Sequence, residues 1–271
     1  MLIDKKGYRK IILFIGLYLT TGCILVFPSL LWAMLGAEYE IPYLGIAVLL
    51  CCPLIWIVGR YYVGVVRVLG DGARMLRIDL RPREFIEYYE SLENSPELVL
   101  NKPTVNVLTL LSLAYDLVGD REGCLAVTER IISVAGEKKK GFAKLVRASY
   151  LFSYGRVEEG ELLYNEALSE AKDAASRSLA DTVMKTDRAM AMGDYKTVEA
   201  YNLEVLGRSF PKADALSRLV LNSNLGEIYE KSGEPEKALL HYTYCAENGG
   251  ETAIRDSARE AVKRLTAESI D

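Results

Sequence analysis

The sequence predicts an all-α protein, in which a two-helix transmembrane hairpin is followed by an array of paired helices. Two charge-free apolar spans, residues 11–35 and 41–59, stand early in the chain. Four glycines, Gly119, Gly155, Gly193 and Gly233, recur farther on at spacings of 36, 38 and 40 residues. Each of them divides two runs whose apolar residues fall at the i, i+3, i+4 spacing of one helix face.

The hairpin is assigned to residues 1–62. At about 1.5 Å per residue each span reaches roughly 28 Å or more, enough for a hydrocarbon core of about 30 Å, so residues 11–59 are expected to meet the lipid bilayer. Lys5, Lys6, Arg9 and Lys10 precede the first span, and Arg60, Arg67, Arg74, Arg77 and Arg81 follow the second. The connecting loop carries only Glu38 and Glu40. The positive-inside rule then makes this a multi-pass cell-membrane protein with cytoplasmic N- and C-termini. Trp32, Tyr39 and Tyr43 fall at the outer interface and Tyr8, Tyr61 and Tyr62 at the inner one, where amphipathic rings are favoured.

Pro28 and Pro53 bend these helices, and Thr20, Thr21 and Ser29 offer hydroxyls to the freed backbone. Neither span contains an ionisable group, which argues against a pore or proton relay. Thr20-Thr21-Gly22-Cys23 is a poor lipoprotein processing site, because Thr20 stands where an aliphatic residue is usual and the apolar run continues to Leu35.

Charge divides unevenly along the chain. Residues 1–81 hold 9 Lys/Arg against 5 Asp/Glu, a net of +4, and residues 82–271 hold 24 against 32, a net of −8. An acidic domain is unsuited to nucleic acid, whose phosphates need a basic surface, so no nucleic-acid partner is expected. Five cysteines without a C-x-x-C pair, and one histidine, His241, leave no metal site, disulfide framework or cofactor to expect.

Glycine accepts the left-handed conformation that ends a helix, so Gly119-Asp120, Gly155-Arg156, Gly193-Asp194 and Gly233-Glu234-Pro235 read as helix stops. In the last unit Leu225-Gly226-x-x-Tyr229-x-x-x-Gly233, with Ala238 and Tyr242 beyond, closely resembles a tetratricopeptide repeat (TPR), a family of two antiparallel helices per unit. In that pattern Gly226 lets a neighbouring helix approach, Tyr229 fills the space between paired helices and Ala238 permits a close crossing. The first unit keeps Leu111, Tyr115, Gly119 and Cys124, and the second keeps Ala148, Leu151, Gly155, Gly160, Tyr164 and Ala167. The third keeps Gly193-Asp194-Tyr195 and Tyr201 but has Val198 where a small residue is usual.

The fold class is thus a two-helix hairpin with a TPR-like α-solenoid over residues 105–250. Residues 63–104 form a juxtamembrane linker and lead-in helix, Pro82–Leu92, in which Gly70-Asp71-Gly72 is expected to interrupt any single helix. Residues 251–271 supply a capping helix with Ile254, Ala258, Ala261 and Leu265 on its buried stripe.

No phosphate loop, G-x-S-x-G elbow or triad is visible, so no catalytic residue is expected and the protein is not read as an enzyme. Lys138-Lys139-Lys140 reads as an exposed loop and His241 as a surface or packing histidine. The resemblance implies a concave groove lined by the first helix of each pair. It places Asp116, Ser149, Asp187, Ser223, Glu227 and Glu230 there, a set that favours a basic or mixed-charge ligand. The expected function is that of a non-catalytic scaffold or adaptor for an unknown protein or peptide. The alternative is an accessory subunit of a membrane transport, secretion or envelope-assembly complex, with the hairpin packed on partner helices.

Overall fold

A computed structural model describes residues 66–93, 104–171, 173–209 and 214–268. The readings made for the hairpin, its orientation and its bilayer contact lie outside these residues. Among the described residues no helix is long and apolar enough to cross a membrane. The chain divides into two units, Met1–Asp71 and Gly72–Asp271.

All regular structure in the described residues is helical. A helical run over 66–77 is followed by α1 (Pro82–Glu93), α2 (Val105–Leu117) and α3 (Arg121–Val134). A 3-10 turn, Glu137–Lys139, then leads into α4 (Lys140–Ser153) and α5 (Val157–Glu170). Helix α6 (Ala174–Val183) continues through a π-helical segment, Met184–Arg188, to a last turn at Ala189–Ala191. The chain ends with α7 (Tyr195–Ser209), α8 (Ala215–Lys231), α9 (Pro235–Asn248) and α10 (Ala253–Glu268). Sequence neighbours pack as pairs: α2 on α3, α4 on α5, α8 on α9, and α10 on α9.

Four of the turns share one geometry. Gly119, Gly155, Gly193 and Gly233 have φ of 83°, 76°, 76° and 74°. Each glycine N–H donates to the carbonyl three residues back, and the next N–H donates to the carbonyl five back, as in Gly155 to Phe152 (3.0 Å) and Arg156 to Leu151 (2.8 Å). This is the left-handed helix stop that satisfies two otherwise orphaned carbonyls. After Gly119 and Gly193 the next residue also starts the following helix. Asp120 accepts from the Gly123 amide at 2.8 Å and Asp194 from the Thr197 amide at 3.3 Å.

The core follows the helix stripes. Leu145, Ala148, Phe152, Tyr164, Ala167, Ala180 and Val183 form one buried cluster from α4, α5 and α6. Leu225, Tyr229, Ala238 and Leu265 form another at the last pair and α10.

Two local expectations are corrected. Gly70-Asp71-Gly72 does not break the helix, since residues 66–77 are helical throughout. At Gly72 a Cβ would lie 2.4 Å from the Phe85 ring, so the glycine lets its own turn of the helix approach Phe85 rather than ending the helix. The lysine run is largely exposed between two helices as expected, but it is a 3-10 turn and a helix start rather than an irregular loop. Lys138 and Lys139 close the 3-10 turn and Lys140 begins α4, because the backbone tightens into helical geometry immediately after Gly136.

Candidate binding site

The predicted groove residues fall into two groups. Asp116 on α2, Ser149 on α4 and Asp187 in the π-helical segment belong to one polar cluster. Tyr154, at the end of α4, donates its hydroxyl to Asp116 Oδ1 at 2.7 Å. Ser149 donates its hydroxyl to Asp187 Oδ2, so the cluster joins three successive helix pairs. Tyr150 stacks on Tyr154 with ring centroids 6.0 Å apart, and Arg121 lies over the outer ring at 5.3 Å.

Burial sets the electrostatics of this group. It pushes the Asp187 carboxyl up to about 6, against the Ser149 and Thr186 hydroxyls that pull it down, while Asp116 adds to the rise. Burial also raises Asp116, with the Tyr154 hydroxyl opposing it. The Cys124 thiol, wholly buried, is pushed up to about 12 and stays protonated at neutral pH, so it is no nucleophile.

The second group belongs to the last pair. Glu227 pairs with Lys231 one turn on, and Glu230 accepts from the Tyr242 hydroxyl at 3.0 Å and pairs with Arg264 on α10. Those partners hold the Glu230 carboxyl below its ordinary range, Arg264 most strongly. Ser223 lies two turns before Lys231 on the same helix and is partly buried.

The repeat-signature residues pack within and between the helix pairs. Tyr115 is partly buried beside Gly123, whose Cβ would meet its ring at 2.8 Å. The Tyr164 hydroxyl donates to the Ala180 carbonyl at 3.1 Å, and Arg188 lies over its ring at 6.0 Å. Leu225 and Ala238 are fully buried, and the Tyr229 hydroxyl donates to Glu199 on α7 at 2.8 Å. A Cβ at Gly226 would lie 2.8 Å from the Tyr242 ring.

Sequence reasoning missed Tyr150, Tyr154 and Arg121 as parts of the first cluster. A usable signal was present for two of them, because Tyr154 stands immediately before the turn glycine Gly155 and Arg121 two residues after Gly119. Leu162 and Leu240 each stand seven residues past a turn glycine and are among the most exposed large apolar side chains, so the apolar stripe after Gly155, read as Val157, Leu162, Leu163 and Ala167, does not bury Leu162.

His241 is half-buried, with Nδ1 2.9 Å from Asn222 Oδ1 and its ring stacked 5.5 Å from Tyr229. Among the described residues no group of three or more His, Cys, Asp or Glu side chains is placed to hold a metal ion. What the first cluster does chemically is to link helix pairs through hydroxyl–carboxylate hydrogen bonds. No family model matches the chain, and no curated protein or solved structure matches it.

Proposed function

We propose that this protein is a membrane-anchored, non-catalytic adaptor, in which a TPR-like α-solenoid holds a partner protein or peptide at the membrane. The observation that carries this reading is the helix–glycine–helix unit, which recurs four times with the same pair of backbone hydrogen bonds. Units of this kind bury their faces by stacking and leave an extended surface suited to peptides and protein segments. Cluster carboxylates that accept hydrogen bonds from the chain's own hydroxyls fit a structural role better than acid–base chemistry.

In this reading residues 1–62 are the anchor, inserted through residues 11–59, and both termini are cytoplasmic. Residues 63–104 link it to the repeats over 105–250, with 251–271 as the cap. The net charge of −8 over residues 82–271 favours a basic or mixed-charge partner. Tethering raises the local concentration of such a partner without any catalytic group.

Crosslinking in intact cells, followed by identification of co-purifying proteins, tests this directly. A basic or mixed-charge partner lost on deleting residues 105–250 supports it, and recovery of nothing above background counts against it. Replacing the hairpin with an unrelated two-span anchor should preserve function. Loss of function on that exchange would favour a subunit whose hairpin packs on partner helices.

A further inference from the structure

The first and last parts of the helical array touch each other, which a simple stack of repeats does not do, since there each unit meets only its neighbours. Leu80 lies in the turn between the helical run 66–77 and α1, almost fully buried. Its carbonyl accepts the Glu251 amide at 2.9 Å, in the turn between α9 and α10. A Cβ on Gly250 would lie 2.5 Å from the Leu80 Cβ, so only glycine permits this approach. Nearby, Arg77 pairs with Asp214 at 3.3 Å, and a Cβ on Gly119 would meet that of Ala253 at 3.3 Å. Asp214 is also the N-cap of α8, accepting the Ser217 amide at 2.8 Å.

We propose that residues 77–81 and 249–253 form a latch that closes the array and opens as a unit, separately from the helix pairs. The joints differ in kind. Helix pairs are held by fully buried side chains such as Leu108, Leu145, Phe152 and Leu225. Between its two segments the latch has one backbone hydrogen bond and the apolar contact of Leu80 with Gly250, and a flanking ion pair with a half-exposed arginine ties Arg77 to Asp214 at the start of α8. Leu80 moreover has φ of 51°, a left-handed conformation that a branched side chain adopts only when its surroundings impose it. The latch is therefore a weaker joint than those within the helix pairs, and opening it relaxes Leu80. Opening the latch frees residues 77–81, at the entry to the array, from the turn that precedes α10. The latch does not depend on which partner the array binds.

Hydrogen exchange on the full-length protein tests the latch. In Gly250→Val, amides in 78–81 and 249–253 are expected to exchange about tenfold faster or more, with α4, α5, α8 and α9 within about twofold of the parent. Arg77→Gln, which leaves every buried side chain in place, is expected to act in the same direction with a smaller effect. Raising the salt concentration should reproduce the effect of Arg77→Gln in the parent protein. Acceleration spread equally over α8 and α9, or no acceleration in either variant, overturns the latch as an independent unit.

Discussion

The ring of Tyr242 occupies the space that a side chain on residue 226 would need, since a Cβ there would lie 2.8 Å from both Cδ1 and Cε1. The ring is not free to yield. Its hydroxyl is bonded to Glu230, which is itself paired with Arg264 on α10. Close approach of α8 and α9 and the docking of α10 are thus one arrangement.

Gly226→Ala is expected to destabilise the protein by about 1–2 kcal/mol in chemical denaturation. Helix propensity alone favours alanine by about 1 kcal/mol, so a net loss isolates the packing effect. Gly155→Ala makes the useful contrast. Nothing lies within 4 Å of its Cβ, so its expected loss of about 1 kcal/mol comes from the left-handed backbone alone. Adding Tyr242→Leu should recover part of the first loss and none of the second.

Asp187 gives a pH dependence with a definite sign. Its folded carboxyl is pushed up to about 6, whereas a carboxyl in the unfolded chain titrates near about 4. The folded protein binds that proton more tightly, so the contribution is fully present below the unfolded value and is lost as pH rises through the folded one. Asp187→Asn keeps an oxygen for the Ser149 hydroxyl and removes the charge. It is expected to stabilise the protein by roughly 1–2 kcal/mol at pH 7.5 and by little at pH 4, measured by urea denaturation. Equal effects at both pH values would show that the carboxyl titrates normally.

His241 should shift the other way. Burial lowers its pKa below the ordinary 6.5, so its contribution is present above that value and is lost as pH falls below it. As the single histidine of the chain, it gives an unambiguous NMR titration. A midpoint below 6.5 is expected, and one at or above 6.5 would mean that the ring is solvated rather than held between Asn222 and Tyr229.

Asn202 on α7 is fully buried, and among the described residues neither of its amide atoms has a hydrogen-bond partner. An unsatisfied buried amide costs about 1–3 kcal/mol, so Asn202→Leu is expected to raise the thermal midpoint. A lowered midpoint would indicate that the amide is satisfied in solution.

Turns were the most legible part of the described structure. A glycine at the end of an amphipathic run has one strong local use, and Gly119, Gly155, Gly193 and Gly233 all take it. The α10 stripe was nearly as readable, because a one-sided helix must bury that side: Ala258, Ala261 and Leu265 are buried, and Ile254 at its start only partly. Gly72 misled for the reason that Gly119 informed. A glycine within a helix and one at its end look alike in sequence, and only the Phe85 ring distinguishes them. The π-helical segment at Met184–Arg188 left no mark in the apolar spacing, so the sequence set Asp187 beside Ser149 in one group without showing that the two bond to each other.

By itself the sequence determined that residues beyond 104 make paired helices, where each pair turns, and that the chain is acidic after residue 81. Those properties are local, set by residue spacing, glycine backbone freedom and summed charge. Tertiary structure alone decided that Ser149 reaches Asp187, that Tyr154 reaches Asp116, and that Leu80 meets Gly250. The first two join neighbouring helix pairs and the third joins the two ends of the array, and each depends on how one pair is set against another. No local pattern encodes that setting, so contacts between the ends of the array appear only once every pair is packed.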